Sequence, residues 1–382
     1  MKKYVILVLV ACLAFALVAC STPAAETATE APAAEAPAAA EEPAAATEAP
    51  AAATEAPAAA AEEPAADDGG EVVAAGDYKI AVVPKDSSNA WFVRMDEGVK
   101  RFAEDTGINA FQKGPSEIDA AMQVQVIQDL IAQGIDALCV VPIDPAAVEP
   151  VLEEAMSKGI TVICHEGSSV ENCDWDIEAF DNAAYGAFIM DNLAAAMGEE
   201  GIYTTMVAHV TNASQNEWAD GGVAQQETAY PDMTLLESDP RVESESNAEK
   251  AYEKAKELFK LYPDLKGIMG TSSKDAPGTA RAIEELGLKG KVFTAGTGMP
   301  NESRQFIKSG TLASACLWDP ADAGYAMCAL SVKVLDGEDI GNGTDLGVEG
   351  YTDLEIWGEK ENVLLGSGWI VLTPENIDDY DF

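Results

Sequence analysis

From residue 77 onward the chain alternates short apolar runs with amphipathic stretches. The run Lys79-Ile80-Ala81-Val82-Val83, stopped by Pro84, has the length and apolar density of a buried strand. Phe92, Met95, Val99 and Phe102 then share one face at helical spacing, predicting a helix over about 90–105. A strand over 108–112 follows, then a helix over 119–133 that Gly134 ends. A strand at 137–141, a helix at 145–158 and a strand at 161–164 continue the series. The same grammar restarts after Asn182. Helices are expected over 184–197, 217–229, 247–262 and 278–286, and strands near 204–210, 234–237, 267–271 and 292–295. Successive βα units imply parallel sheets with right-handed crossovers. Residues 77–382 are too many for one ordinary core. The pattern therefore reads as an α/β chain with two doubly wound parallel-sheet lobes in sequence.

In open α/β sheets, ligands gather beyond the carboxyl ends of the strands. That rule selects residues 85–92, 164–168, 209–218, 271–275, 296–300 and 317–320. These segments are rich in Trp, Asn, Gln, Ser, Asp and Glu, which together suit a polyhydroxyl ligand. Trp91, Phe92, Trp218 and Trp318 could stack on the apolar face of a sugar ring, or could simply complete a core. Lys85 is a candidate donor and Glu166 a candidate acceptor; buried together they must be hydrogen-bonded. Asn89, Gln215, Asn216, Ser272 and Ser273 carry the mixed donor and acceptor groups that hydroxyls need. Asp319 is either a ligand contact or the cap of a helix beginning at Pro320. His165 is either a ligand contact or a cover for Glu166. No P-loop, no GxGxxG after a strand, no clustered Cys and His, and no GxSxG elbow occurs. No cofactor, metal or enzymatic activity is expected.

The N-terminus sets the compartment. Lys2 and Lys3 precede an apolar run over 4–19 that is too short for an ordinary membrane span and ends at Cys20. Leu17-Val18-Ala19-Cys20 resembles a bacterial lipobox, which implies a signal peptide over 1–20 and lipidation of Cys20, hence membrane anchoring without a span. Residues 21–76 are almost wholly Ala, Pro, Glu and Thr and contain no aromatic residue. They cannot form a core and read as a disordered acidic tether of roughly 40 Å as a coil. The net charge is −43; the signal contributes +2 and the tether −12, leaving −33 on the folded part. Phosphate contacts require a positive surface, so no nucleic-acid partner is expected. Cys139, Cys164, Cys173, Cys316 and Cys328 remain after the signal and Cys20, an odd number, and are expected as buried free thiols.

At this level of detail the chain resembles the type I periplasmic binding proteins for sugars. Asn89-Ala90-Trp91-Phe92 matches their N-x-aromatic-Phe cluster, and Ile163-Cys164-His165-Glu166 places an acid after the fourth strand. Asp181-Asn182 and Leu317-Trp318-Asp319-Pro320 match their lobe crossings. Val83-Pro84-Lys85, Lys113-Gly114-Pro115-Ser116, Gln123-Val124-Gln125, Pro374-Glu375-Asn376-Ile377 and Tyr380-Asp381-Phe382 are closer to the autoinducer-2 and rhamnose receptors. The resemblance implies a three-crossing hinge near 181–182, 318–319 and 349–350. The first lobe would combine 77–181 with 319–349, and the second 182–318 with 350–382. It also implies capture of a sugar-like ligand, by a monomer, for an ABC permease; an autoinducer-2 receptor, or a sensory receptor serving a membrane kinase or chemoreceptor, are the alternatives. Lys85 and Gln215 match the autoinducer-2 pattern. Glu166, Ser214, Thr271 and Ser273 depart from it, and the last three add hydroxyls that could bond a sugar.

Overall fold

The structure is a computed structural model that describes residues 77–358 and 360–382. The expected signal segment, Cys20 and the tether lie outside the described residues. The first half runs β1 (Lys79–Val83), α1 (Ala90–Thr106), β2 (Asn109–Gln112), α2 (Ala120–Ala132), β3 (Ala137–Val140), α3 (Pro145–Ser157), β4 (Thr161–His165) and β5 (Trp175–Glu178). The second runs α4 (Asn182–Met197), β6 (Gly201–Val207), α5 (Ala213–Ala229), β7 (Met233–Leu235), β8 (Arg241–Glu243), α6 (Ala248–Leu261), β9 (Leu265–Gly270) and α7 (Asp275–Glu285). It continues through β10 (Phe293–Thr297), α8 (Pro300–Ser309) and β11 (Leu312–Leu317). The tail contributes α9 (Pro320–Leu335), β12 (Glu355–Ile356), β13 (Val363–Leu365) and β14 (Ile370–Leu372).

Two sheets result, as expected. The first has the order β12-β13-β5-β4-β3-β1-β2, and the second β14-β11-β10-β9-β6-β7 with β8 also paired to β6. Read from each lobe's first strand, both carry the same 2-1-3-4-5 winding. The ladders within these cores are parallel. Such winding turns the carboxyl ends of β1 and β4 in one lobe, and of β6, β9, β10 and β11 in the other, toward a shared crevice.

Local chemistry starts the helices where the crevice needs them. Asn89 accepts the Trp91 N–H and caps α1, and Asn212 accepts the Gln215 N–H and caps α5. The second of these corrects the expected start near residue 217: Ser214, Gln215 and Asn216 belong to the first turn of a helix and not to a loop. Strands β5, β8 and β12 to β14, and helix α8, were not expected. They are mostly two to four residues long or mix charges with apolar residues, so no period reveals them.

The chain leaves the first sheet after β5, and α4 then packs on β9, β10 and β11 of the second. After β11 it returns, and α9 packs on α1 and on β1, β3 and β4. The third crossing differs from the expectation near 349–350. Residues beyond Gly350 stay with the first sheet, where β13 pairs with β5 through Val363↔Asp176 and Leu365↔Glu178. Only then does the chain cross, at 366–369, and β14 pairs antiparallel with β11. The Gly366 and Gly368 N–H groups donate to the Glu178 and Ala179 carbonyls, binding this crossing to the first one.

Candidate functional site

The base of the crevice is an aromatic plug at the hinge. Trp318 stands at the second crossing, edge-on to Trp91 at 4.6 Å and to Phe180 at 5.2 Å between ring centroids. Trp218 from α5 meets it at 5.5 Å. Such tilted contacts suit aromatic quadrupoles and fix ring orientation. Above the plug lies a narrow cavity whose walls come from both lobes.

Eleven of the fifteen expected ligand residues line it: Lys85, Asn89, Trp91, Phe92, Glu166, Gln215, Trp218, Thr271, Ser272, Ser273 and Trp318. Lys85 Nζ donates to Glu166 Oε2 at 2.6 Å, and both residues are only 5 % exposed. The Ser214 hydroxyl, from the other lobe, donates to the same oxygen at 3.0 Å. Burial pushes the Glu166 carboxyl up, but the Lys85 ammonium and the hydrogen bonds from Lys85 and Ser214 outweigh it, so it sits below its ordinary pKa. Glu166 also adopts φ 56°, a left-handed conformation that a non-glycine residue holds only when its surroundings impose it. The indole N–H groups of Trp91 and Trp318 are buried and have no acceptor among the described residues.

The other four expected residues do not line the cavity. Asp319 is the cap of α9, accepting the Ala321 N–H, and it grips Arg94 with both oxygens at 2.9 and 2.7 Å. The capping alternative is thus the one the fold adopts, because Pro320 sets the first turn and Arg94 occupies the carboxylate. His165 is fully buried behind the plug, with Nδ1–H donating to the Ile177 carbonyl; burial lowers its pKa and favours the neutral ring. Asn216 is spent outside the cavity, donating to the His209 and Asn212 carbonyls and accepting from Arg241. Ser214 acts through Glu166.

Three lining residues were not singled out from the sequence: Ile118, Ser246 and Thr297. Thr297 ends β10, in a segment that the strand-end rule had selected, and its hydroxyl pairs with that of Tyr185 at 2.9 Å. Ser246 sits in the turn after the unexpected strand β8. Glu245 and Ser246 are both left-handed, with φ 56° and 49°, and the Ser246 hydroxyl reaches Ser272 at 3.0 Å. Among the described residues no cluster of His, Cys, Asp or Glu is arranged to hold a metal ion. The five cysteines of the described region are free and buried.

In chemical terms the cavity offers one internally neutralised ion pair, several hydroxyl and amide groups, and aromatic residues of which Trp91 and Trp318 carry buried indole N–H groups without an acceptor among the described residues. Comparison with known proteins places this arrangement. The family described as periplasmic binding protein domain matches residues 80–339. The D-allose-binding periplasmic protein of Escherichia coli (strain K12) is 29 % identical over 271 residues, covering 68 % of this chain and 84 % of that protein. LsrB from Clostridium saccharobutylicum, solved in complex with AI-2, superposes with a TM-score of 0.73 at 23 % identity, over 80 % of this chain and all of that one. An ABC transporter solute-binding protein from Clostridium phytofermentas with bound L-rhamnose gives 0.72 at 20 % identity, over 80 % and 98 %.

Proposed function

The chain belongs to the periplasmic binding protein domain family, and from that premise we propose that it captures one neutral, monosaccharide-sized sugar outside the cytoplasm and delivers it to an ABC importer. The observation that carries this reading is the buried Lys85–Glu166 pair beside the two unpartnered indole N–H groups. Because the pair neutralises itself, a charged ligand would bury an uncompensated charge at a cost of several kcal/mol. A neutral polyol can accept from Lys85 and the indoles, donate to Glu166, and use Thr271, Ser272, Ser273, Gln215 and Asn89 at its rim. The relative named for D-allose and the neighbour solved with L-rhamnose point to the same class.

Closure supplies the mechanism. Lys85 and Glu166 come from the first lobe, and Gln215, Trp218 and Thr271 from the second, so a ligand touching both sets favours the closed arrangement over the open one. Mass spectrometry of whatever leaves the denatured protein, with a thermal-shift screen of pentoses, hexoses and deoxyhexoses, tests the assignment. At a hundredfold excess over Kd the linkage gain is about 2.7 kcal/mol, a visible shift. Stabilisation by autoinducer-2 alone would transfer the protein to the second reading, which the cavity positions of Lys85 and Gln215 support. Stabilisation only by amino acids or nucleosides would end both.

We further propose that Cys20 carries lipid and that the tether of residues 21–76 holds the lobes off the membrane. The supporting features are the apolar run ending at Leu17-Val18-Ala19-Cys20 and the proline-rich composition that follows. Cys20→Ala should appear in the soluble fraction with sugar binding intact; retention through a wash that strips peripheral proteins would refute the anchor.

A further inference from the structure

The face of the first sheet that carries Val83, Val140 and Cys164 is covered by α2 and α3 over its central strands. At β5 the character of that face changes. Asp176 and Glu178 point the same way, flanked in register by Val363 and Leu365 of β13. The loop after β4 and the start of α5 roof them: Gly167 N–H donates to Asp176 Oδ1, and the Ser168 hydroxyl donates across the lobes to Glu217. What remains between these parts is a groove of about 360 Å³ that shares no lining residue with the inter-lobe cavity. Its walls are apolar (Trp357, Val363, Leu365, Ala224), and its carboxylates come from both lobes.

Those carboxylates are not equivalent. Glu217 is satisfied by Ser168 and Asn182, Asp181 by the cap of α4, and Asp220 by Arg241. Glu178 lines the groove, is 2 % exposed, and its Oε1 has no donor among the described residues. Asp176 Oδ2 beside it likewise has no donor, so a proton shared by the two carboxyls fills the site in the free protein, and a ligand that supplies cationic donors can replace it.

We propose that this groove is a second ligand site, distinct from the sugar cavity, that takes a small organic cation whose amidinium, guanidinium or ammonium group meets Glu178 and whose apolar body lies against Trp357, Val363 and Leu365. A proton is the competing occupant. Burial, then the neighbouring charges of Asp176, Glu217 and Glu166, push the Glu178 carboxyl well above its ordinary pKa. Asp181 and Asp220 are the other acids of the groove, and Lys360 donates to the Ser168 and Val170 carbonyls. Cation binding therefore displaces a proton, and it strengthens as pH rises.

Benzamidine, with benzamide as its uncharged isostere, probes the site by calorimetry on the intact protein. Benzamidine should bind at least about tenfold more tightly than benzamide, because only the cation replaces the displaced proton. Its affinity should rise by about tenfold per pH unit while Glu178 is protonated in the free protein. Glu178→Gln should abolish the preference for the cation and the pH dependence while leaving sugar binding in place. That variant mimics the protonated carboxyl, so it should fold; if it does not, the wild-type comparison of the two probes decides alone. Absence of benzamidine binding, equal binding of the two probes, or cation binding that survives Glu178→Gln overturns the proposal, whatever the sugar screen shows.

Discussion

Glu166 concentrates the residue-scale chemistry of the inter-lobe cavity. It accepts from Lys85 in its own lobe and from Ser214 in the other, while its backbone is held at φ 56°. Glu166→Ala removes the acceptor and strands the Lys85 ammonium in a buried site. An unpaired buried group costs about 1–3 kcal/mol, so sugar affinity should fall by roughly 5- to 150-fold in titration calorimetry. Unchanged affinity would remove the ion pair from the site. The variant also relieves a left-handed carboxylate but keeps a Cβ there, so the backbone strain persists and the fold should change little.

At the scale of elements, the first lobe depends on α9 returning to lie against α1. Gly98 makes that approach possible: a Cβ at this position would sit 1.7 Å from the Ala321 carbonyl oxygen. Backbone cannot step aside as a flexible side chain can, so Gly98→Ala must push the helices apart. We expect a loss of about 1–3 kcal/mol or more, read as a lower urea midpoint. Gly107 is the contrast. It ends α1 at φ 75° with open space around it, so Gly107→Ala should cost only the left-handed penalty of roughly 1 kcal/mol. Equal midpoints for the two variants would show that the α1–α9 contact is softer than its geometry implies. Since Asp319 caps α9 and grips Arg94 of α1, the same contact also holds Trp91 and Trp318 in the plug.

For the whole molecule the informative variable is pH. Burial raises Asp176 and Asp275 to about 7, and raises Glu178 well above its ordinary value. Each such group binds its proton more tightly when folded, so the unfolded chain holds fewer protons and stability falls as pH rises. The contributions of Asp176 and Asp275 are complete below the ordinary carboxyl pKa of about 4 and disappear as pH climbs through about 7. Glu166 has the opposite sign, and its contribution is lost only in acid. Thermal melts should therefore show Tm declining between about pH 5 and 7.5, and Asp275→Asn should flatten the decline. A Tm that rises across this interval would contradict the assignment of these carboxyls as protonated in the folded state.

The sequence by itself determined the βα grammar, the two-lobe organisation and most of the residues that line the inter-lobe cavity. Those follow from local rules: five-residue apolar runs, helical spacing as in Phe92, Met95, Val99 and Phe102, and the tendency of ligands to sit beyond strand ends. Lys85, Trp91, Glu166, Gln215 and Trp318 were legible because each stands soon after such a run, in the connection that follows it or at the start of the next helix. Only the tertiary structure decided which polar residues near a strand end face the cavity. His165 and Glu166 are adjacent, yet one is buried beside the plug and the other lines the cavity, since β4 ends at His165 and Glu166 leaves it through a left-handed backbone conformation that no local pattern announces. Asp319 had two chemically equal uses, and the choice was made by Arg94, 225 positions away in the chain. The third crossing and Ser246 were likewise out of reach, because β13 and β8 are three-residue strands whose pairing partners, β5 and β6, are distant in sequence. Pairing of that kind depends on a sheet edge already in place, and no local period encodes it.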